Sequence, residues 1–294
     1  MIKAEGIHKF YGDHCALKDF NIEIKEGSVF GLLGPNGAGK TSFIRILNQI
    51  TAPDQGQVLV NGEKLQAKHI KEIGYLPEER GLYPKMKVGE QLVYLARLKG
   101  LEKSEAKEKV KSWLERFGLM DRVQKPVEEL SKGLAQKVQF IASVIHEPKL
   151  IILDEPFTGF DPINIEQIKQ EILRLSDEGA TLIFSTHRME SVEELCQEIV
   201  LINKGEKVLD GKLSDIKKEH RSGNYRFKTE KPIDPSFGLR ILKHEQMHGL
   251  ETYQVGNSEQ SKEKLIQSLL PFGLNSFEEE EAMLHDIFIK LAQS

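Results

Sequence analysis

Short apolar runs separated by helical patterns dominate the first two thirds of the chain. The runs at residues 28–33, 150–153 and 181–184 are almost wholly apolar, which is typical of strands buried on both faces of a parallel sheet. Elsewhere, apolar residues recur every three or four positions, as on one face of a helix. This periodicity predicts helices at residues 41–47, 88–99, 103–117 and 163–175, and a further helix that follows Ser131 and runs through residues 139–145. Strands that alternate with helices predict an α/β fold.

The beginning of the chain has a different pattern. Residues 21–24 alternate polar and apolar side chains ahead of a turn at Glu26 and Gly27. Because one face of an antiparallel sheet can be exposed, this alternation predicts a small antiparallel β region within residues 2–30.

The sequence changes character again near residues 214–223, where charged and turn-forming residues predict a linker at 216–223. We therefore expect one domain at residues 1–215, with a helical subdomain at about 87–144, and a small α+β domain at 224–294. The patterns in the second domain predict strands at 224–229, 239–243 and 252–255 and helices at 261–270 and 282–291. Its expected core consists of Phe272, Phe277, Phe288 and Leu291.

Composition and charge narrow the possible functions. The chain has 294 residues, 39% of them hydrophobic, and can bury a sizeable core. A net charge of −4 gives no global basic field, so we expect no nucleic-acid partner. The first residues do not resemble a signal peptide, and no apolar run reaches the ~20 residues of a membrane span. Two distant cysteines predict neither a disulfide framework nor a zinc site, which fits a cytoplasmic protein.

The strongest chemical signal is a glycine-rich loop between a predicted strand and a predicted helix. The loop matches the phosphate-binding pattern G-x-x-x-x-G-K-[ST] through Gly34, Pro35, Asn36, Gly37, Ala38, Gly39, Lys40 and Thr41. Glycines let backbone N–H groups surround phosphates, and the helix adds the positive end of its dipole. We expect this loop and the adjoining Ser42 to bind a nucleotide. Lys40 would supply positive charge and Thr41 a hydroxyl ligand for Mg²⁺.

An acidic pair follows the apolar run at 150–153. Because ligands bind beyond the carboxyl ends of parallel strands, we expect Asp154 and Glu155 at the rim of the sheet. Successive side chains of a strand point to opposite sides, so the two acids should differ in role. Asp154 is suited to hold hydrated Mg²⁺, and Glu155 is suited to polarise an attacking water. Pro156 is expected to keep Glu155 extended.

These motifs, in this order, make residues 1–215 closely similar to the nucleotide-binding subunits of ABC transporters. Further positions match that family. Tyr11 resembles the aromatic residue that stacks on adenine, and His187 resembles the switch histidine that contacts the γ-phosphate. Ser131 and Gly133 lie in the segment that resembles the family signature, and Asp161 lies in the segment that resembles the loop joining the two sites. The resemblance implies a P-loop NTPase core of ABC ATPase type, with an antiparallel β subdomain and a helical subdomain. It also implies ATP hydrolysis with Mg²⁺, in which Glu155 acts as base beside Lys40 and His187.

Two departures from the family pattern affect the signature and the Mg²⁺ site. Lys132 and Leu134 stand where glycine and glutamine are commonest. Glu78 stands where the family usually has a glutamine that touches Mg²⁺ and faces the transport subunit. A carboxylate can also ligate Mg²⁺, but when ionised it cannot donate a hydrogen bond.

The resemblance also implies partners. The signature segment reaches ATP on an opposite subunit, so we expect a head-to-tail pair of these chains. We also expect a membrane-spanning permease whose coupling helix contacts the Glu78 region and the adjoining helices, with the ATPase peripheral on the inner face of the cell membrane. The departures and the tail segment 284–288 resemble the branch of bacterial sodium-export and other ABC-2-type ATPases. Two alternatives stay open: an importer subunit with a regulatory tail, and a soluble ABC ATPase without a transport role.

Overall fold

The computed structural model describes residues 1–79, 81–221, 223–233, 238–247, 249–256, 261–280 and 282–292. Contacts divide the chain into two compact units. The first comprises Met1–Leu213 with Leu291 and Ala292, and the second comprises Ser214–Lys290. Among the helices within these described ranges, none is long and apolar enough to cross a membrane.

The first unit is built from two sheets and six helices. Its strands are β1 (Ile2–Tyr11), β2 (His14–Ile24), β3 (Val29–Leu33), β4 (Gln55–Val60), β5 (Glu63–Lys64), β6 (Ile73–Leu76), β7 (Leu150–Asp154), β8 (Thr181–Ser185), β9 (Glu198–Asn203) and β10 (Glu206–Lys212). Its helices are α1 (Lys40–Leu47), α2 (Val88–Leu98), α3 (Lys103–Arg116), α4 (Lys132–Val144), α5 (Pro162–Asp177) and α6 (Met189–Leu195). The five predicted helices are confirmed, and α4 follows Ser131 as predicted.

The central sheet has the strand order β10-β9-β3-β8-β7-β6. The five strands from β9 to β6 are parallel, and β10 runs antiparallel at one edge. Every residue of β3, β7 and β8 is buried, which is why these strands appear in the sequence as continuous apolar runs. The predicted α/β fold and its three predicted strands are confirmed. The carboxyl ends of β3, β7 and β8 lie side by side and carry the predicted chemistry.

The second sheet is antiparallel and has the order β2-β1-β4-β5, so the predicted antiparallel region is confirmed. Helix α1 lies between this sheet and the central one, because its apolar face contacts both. The rings of Phe20 on β2 and Phe43 on α1 meet edge to face with centroids 4.9 Å apart. Phe43, Ile44, Ile46 and Leu47 are buried in the shared core. This packing holds the start of α1 beside the end of β3.

Helices α2, α3 and α4 lie between β6 and β7 along the sequence, and α2 packs against both α3 and α4. On α3, Val110, Leu114 and Phe117 are buried and Trp113 is half-buried, which confirms the predicted apolar face. The rings of Phe117 and Phe140 lie 5.9 Å apart between centroids, so α3 packs against α4.

The second unit is a small antiparallel sheet with helices. Its elements are α7 (Leu213–Glu219), which begins at the last residue before the unit, β11 (Tyr225–Thr229), β12 (Ile241–Met247), β13 (Leu250–Val255), α8 (Lys262–Leu269), β14 (Leu274–Glu279) and α9 (Leu284–Ala292). The strand order is β12-β13-β11-β14. Part of the predicted linker at 216–223 is therefore helical. Strand β14 was not predicted.

The core of this second unit differs from the predicted one. Its buried cluster consists of Phe227, Ile233, Tyr253, Val255, Leu265 and Leu269. Phe272 and Phe277 pack against the cluster, as predicted. Phe288 and Leu291 are half-buried and are not among its members, so this part of the prediction is wrong. The reason is that Phe227 and Tyr253 face inward on two adjacent central strands and their stacked rings fill the space, with centroids 5.5 Å apart.

Candidate functional site

The glycine-rich loop joins β3 to α1 and has the backbone that only glycine allows. Gly34 has a φ of 153°, and a Cβ added there would lie 2.3 Å from the carbonyl oxygen of Ile202. Gly39 has a φ of 115°, and an added Cβ would lie 2.5 Å from the carbonyl oxygen of Ala16. Ala38 is buried, whereas Asn36, Gly37 and Thr41 are exposed and Pro35 and Ser42 are half-buried. The loop therefore packs closely against the backbone of Ala16 and Ile202 on one side and is exposed to solvent on the other.

Lys40 is the first residue of α1 and lies at the mouth of this loop. Its Nζ donates hydrogen bonds to the carbonyl oxygens of Gly34 at 2.7 Å and Pro35 at 3.0 Å. Burial lowers the pKa of Lys40, while the charges of Glu155, Asp154 and Glu78 act to raise it. The three predicted carboxylates therefore surround the lysine. The ammonium of Lys40 and the N–H groups of the first turn of α1 can together bind phosphate oxygens.

Asp154 is the last residue of β7 and only 3% exposed. Its pKa is raised to about 6, first because burial disfavours the charged form and then because Glu78 and Glu155 add negative charge. Lys40 opposes this effect. A buried carboxylate with acidic neighbours is stabilised by a cation. The predicted position of Asp154 at the rim of the sheet is confirmed.

Glu155 follows the strand and is held by the end of β8. Its Oε2 accepts a hydrogen bond from Thr186 Oγ1 at 3.1 Å. Its Oε1 accepts one from the backbone N–H of His187 at 3.0 Å and lies 2.9 Å from His187 Nδ1. The side chain of His187 is itself 72% exposed. Glu155 and His187 therefore form one hydrogen-bonded pair at the surface of the site.

The prediction that Pro156 keeps Glu155 extended is wrong. Glu155 has a φ of 49°, in the left-handed region that non-glycine residues rarely adopt. The backbone N–H of Glu155 donates to the carbonyl oxygen of Ser185 at 2.8 Å, and its carboxylate is bound by two residues that follow β8. These four contacts to β8 and its extension compensate for a strain of about 1–3 kcal/mol. Strained backbone of this kind is concentrated at functional sites.

Glu78 lies two residues beyond the end of β6 and is exposed. Its negative charge raises the pKa of both Lys40 and Asp154, which places it beside the same site. The backbone on either side of Glu78 is bound by α4, because Gln139 Nε2 donates to the carbonyl oxygens of Pro77 at 3.2 Å and Glu79 at 3.0 Å. The structure thus brings together Lys40, Glu78, Asp154, Glu155 and His187 from four separate parts of the chain.

The predicted signature residues lie at the beginning of α4. Ser131 caps the helix, since its Oγ accepts a hydrogen bond from the backbone N–H of Leu134 at 3.3 Å, and it is exposed. A Cβ added at Gly133 would meet Gly159 and Phe160 only at 3.6–3.7 Å, which is ordinary contact. The described residues therefore do not require a glycine at position 133. Ser131 and Lys132 are exposed at the beginning of the helix.

Asp161 caps α5 and directly follows Gly159 and Phe160, the two residues that lie beside Gly133. Its carboxylate accepts hydrogen bonds from the backbone N–H of Asn164 at 3.0 Å and from Asn164 Nδ2 at 2.6 Å. The first of these bonds is the main cause that holds its pKa below the usual value. Asp161 thus keeps its charge while it orders the loop. The predicted nucleotide role of Ser131, Gly133 and Asp161 stays a prediction.

Tyr11 ends β1 and is 43% exposed. It pairs with His14 across the hairpin, and the ammonium of Lys9 lies 5.6 Å from the centroid of its ring. Two residues after His14, the carbonyl of Ala16 contacts Gly39 of the phosphate loop. Tyr11 therefore presents an open aromatic ring on the hairpin that adjoins the loop, as base stacking requires.

Two contributors to the site were missed by sequence reasoning. Thr186 binds Glu155, and it could have been found because it directly precedes His187. Gly205 has a φ of 80°, and its N–H donates to the carbonyl oxygen of Ala38 at 2.9 Å. A turn glycine between two strands was visible at position 205, but no sequence signal connects it with a loop 165 residues earlier.

Comparison with known proteins supplies the family. A family model described as ABC transporter matches residues 17–158. The chain is 43% identical over 297 residues to YhaQ, an ABC transporter ATP-binding protein of Bacillus subtilis (strain 168), and the match covers 99% of this chain and 98% of YhaQ. It is 34% identical over 219 residues to the Nod factor export ATP-binding protein I of Cupriavidus metallidurans, covering 74% of this chain and 72% of that protein.

Comparison with solved structures indicates the same family. A solved structure of the ATP-binding subunit of an ABC transporter matches with a TM-score of 0.70 and 28% identity, covering 74% of this chain and 92% of the other. The ABC ATPase fold predicted from the sequence is confirmed. The chain belongs to the ATP-binding proteins of ABC transporters, a family that binds and hydrolyses ATP.

Proposed function

We propose that this chain hydrolyses ATP to power export through a separate membrane permease. The observation that carries the proposal is the hydrogen-bonded Glu155–His187 pair beside Asp154 and Lys40. A carboxylate held at 2.9 Å from an imidazole can take a proton from water while the imidazole orients the water and the γ-phosphate. A site that only bound nucleotide would not need a strained, hydrogen-bonded carboxylate at this position.

The residues of the chain would share the work of phosphoryl transfer. Backbone N–H groups of residues 36–42 would hold the phosphates, and Tyr11 would stack on the base. Lys40 would leave its two carbonyl acceptors and bind phosphate oxygens, where it offsets negative charge that develops in the transition state. Glu155 would act as base from a fixed orientation. His187, with its exposed ring, would hydrogen-bond the γ-phosphate.

Magnesium fits this donor set. Asp154 is a buried carboxylate with a raised pKa, and Glu78 and the hydroxyl of Thr41 would complete the protein ligands. The ion, when bound, would neutralise phosphate charge. Mg²⁺ is usually bound by one or two carboxylates together with waters and substrate phosphates, and Asp154, Glu78 and Thr41 match such a donor set.

A second copy of the chain would complete each site. The exposed Ser131 and Asp161 and the half-buried Gly133 form one surface, and packing among the described residues does not require a glycine at position 133. We propose that this surface contacts ATP held on the phosphate loop of an opposing subunit. Lys132 would add a positive charge next to that nucleotide.

The permease would dock on the helical layer next to Glu78. A groove of about 700 Å³ lies between α2 and α3, with an apolar floor and a basic rim. The floor includes Val93, Val110, Leu114 and Val123, and the rim includes Arg97, Lys103, Lys107 and Lys111. An amphipathic coupling helix with acidic flanks would match this groove in both respects.

The direction of transport rests on the relatives and the tail segment 284–288. The Nod factor protein carries export in its name, and the exporter branch resembles this chain in the departures at Glu78, Lys132 and Leu134. An importer subunit with a regulatory tail is the main alternative, and a soluble ABC ATPase is the other. An exporter should move its substrate into inside-out membrane vesicles on addition of ATP, and an importer should not.

Co-purification from detergent-solubilised membranes tests the coupling to a permease. The wild-type chain should retain a multi-span membrane protein, and the double variant Lys103→Glu, Lys107→Glu should lose it. Lys71→Glu, an exposed charge reversal outside the groove, is the matched control. Ribosomes or DNA in place of a membrane protein would refute the transport role.

A further inference from the structure

Gln139 is a buried glutamine whose side chain binds a loop rather than its own helix. It lies on the third turn of α4 and is 4% exposed. Its Nε2 donates to the carbonyl oxygens of Pro77 at 3.2 Å and Glu79 at 3.0 Å. One side chain therefore holds the backbone on both sides of Glu78.

The backbone at residues 77–79 lies beyond the end of a strand. Strand β6 ends at Leu76, so the sheet ladder does not extend to residues 77–79. Glu78 itself is exposed, and β6 pairs with β7 so that Leu76 lies opposite Leu153, which brings the residues after Leu76 to the site at the edge of the sheet where β7 ends in Asp154. The distance of its carboxylate from that site depends on where the backbone at 77–79 lies. The two hydrogen bonds from Gln139 determine this position.

The same helix begins at the signature surface. Ser131 caps α4, and Gln139 lies eight residues later, or about 12 Å along the helix axis. Next to Gln139 on α4, the ring of Phe140 packs against the ring of Phe117, with centroids 5.9 Å apart. Gln139 therefore connects the Glu78 segment to the helix that Ser131 caps.

We propose that Gln139 is a positioning residue, which sets Glu78 against the Mg²⁺ side of the nucleotide site and ties it to the signature helix. This rests on the proposed ATPase function. Gln139 does not touch the nucleotide. It acts through Glu78 on one side and through α4 on the other.

A purely structural role would favour a different residue. Gln139 Oε1 is buried without a hydrogen-bond partner among the described residues, which destabilises the fold relative to an apolar side chain of the same length. Gln91 on α2 provides a matched comparison, since it is fully buried and neither of its amide atoms has a partner in the described part of the chain. Only Gln139 of these two bonds the Glu78 segment.

The test compares Gln139→Met with Gln91→Met in the full-length protein. Both should fold with thermal midpoints close to the wild type. In the nucleotide-free protein, hydrogen exchange of a peptide covering residues 74–79 should accelerate about fivefold or more in Gln139→Met, since one lost hydrogen bond corresponds to about a factor of five. Gln91→Met should exchange like the wild type.

Magnesium dependence supplies the second measurement. The Mg²⁺ concentration for half-maximal ATP hydrolysis should rise about fivefold or more in Gln139→Met, and the affinity for ATP without Mg²⁺ should stay unchanged. Unaltered exchange and unaltered Mg²⁺ dependence would overturn the assignment of Gln139. A wild-type chain that binds ATP but does not hydrolyse it would instead overturn the proposed function, and the exchange result would still report on the contact itself. If Gln139→Met does not fold, Gln139→Leu provides the same two measurements.

Discussion

Replacing Glu155 by glutamine separates its chemical role from its structural one. Glu155 accepts three hydrogen bonds, two from His187 and one from Thr186. In Glu155→Gln the amide oxygen can keep the bonds from His187, and the amide NH₂ can donate to Thr186, whose hydroxyl also accepts. The positive φ of 49° is equally accessible to glutamine. The repulsion of Asp154 is relieved, so the free energy of unfolding should change by no more than about 1 kcal/mol.

The loss of the base should therefore appear in catalysis alone. General-base catalysis contributes about 10²–10⁴-fold, so the turnover of ATP should fall by that factor. Nucleotide affinity, measured by equilibrium binding of ATP in the presence of Mg²⁺, should stay within a few-fold of the wild type. Steady-state phosphate release measures the turnover.

The control for this variant is Thr186→Val, which removes one hydrogen bond to Glu155 and keeps the carboxylate. We expect it to lower turnover by only about tenfold or less. Wild-type turnover in Glu155→Gln would refute the role of Glu155 as base. Loss of ATP binding in Glu155→Gln would refute the inference that its hydrogen bonds can be preserved.

Three further predictions follow from the packing. Gly133→Ala should leave the free energy of unfolding unchanged or raise it by up to about 1 kcal/mol, since the added Cβ has only ordinary contacts. ATP turnover should nevertheless fall roughly 10²-fold, because position 133 is proposed to face the nucleotide of an opposing subunit. Urea unfolding measures the first effect and phosphate release the second. Gly39→Ala should destabilise the fold by at least about 2 kcal/mol because of the clash with Ala16, whereas Gly37→Ala, with no atom within 4 Å of its Cβ, should lose only about 1–2 kcal/mol. His146 has its pKa lowered by burial to about 4, below the ordinary 6.5, so its neutral form stabilises the fold fully above pH 6.5, and about 3 kcal/mol is lost as the pH falls to 4. His146→Gln should remove this part of the pH dependence in urea unfolding, and an unchanged profile would contradict the burial argument.

The catalytic core could be predicted from the sequence because its elements are local. The apolar runs that became β3, β7 and β8 are long enough to identify, and each is followed directly by a chemically distinct residue or loop. Strands β6, β10 and β14 were not predicted, because they are short or only partly buried and lack either clear alternation or a continuous apolar run. Strand β9 was also not predicted, although its residues 199–202 form a buried apolar run like those of β7 and β8. The helix after Ser131 could be predicted, since its apolar residues recur with helical spacing.

The acidic pair shows where local rules are overridden. The residue before a proline normally avoids helical conformations and adopts extended ones, and this rule predicted an extended Glu155. The hydrogen bonds from Thr186 and His187 outweigh that preference and turn the carboxylate toward β8. A sequence rule for one residue cannot include partners that lie more than 30 positions away. The same reason explains why Gln139 had no recognisable signal beside Glu78.

The sequence by itself determined the α/β fold, the phosphate loop at residues 34–41 and the presence of Asp154 and Glu155 at the end of a strand, because periodicity, glycine spacing and strand ends are properties of neighbouring residues. Only the tertiary structure decided which groups meet. It placed Glu155 against His187, Gly39 against Ala16 and Gln139 around Glu78. Such contacts depend on how sheets and helices pack, and packing joins residues whose separation along the chain carries no pattern.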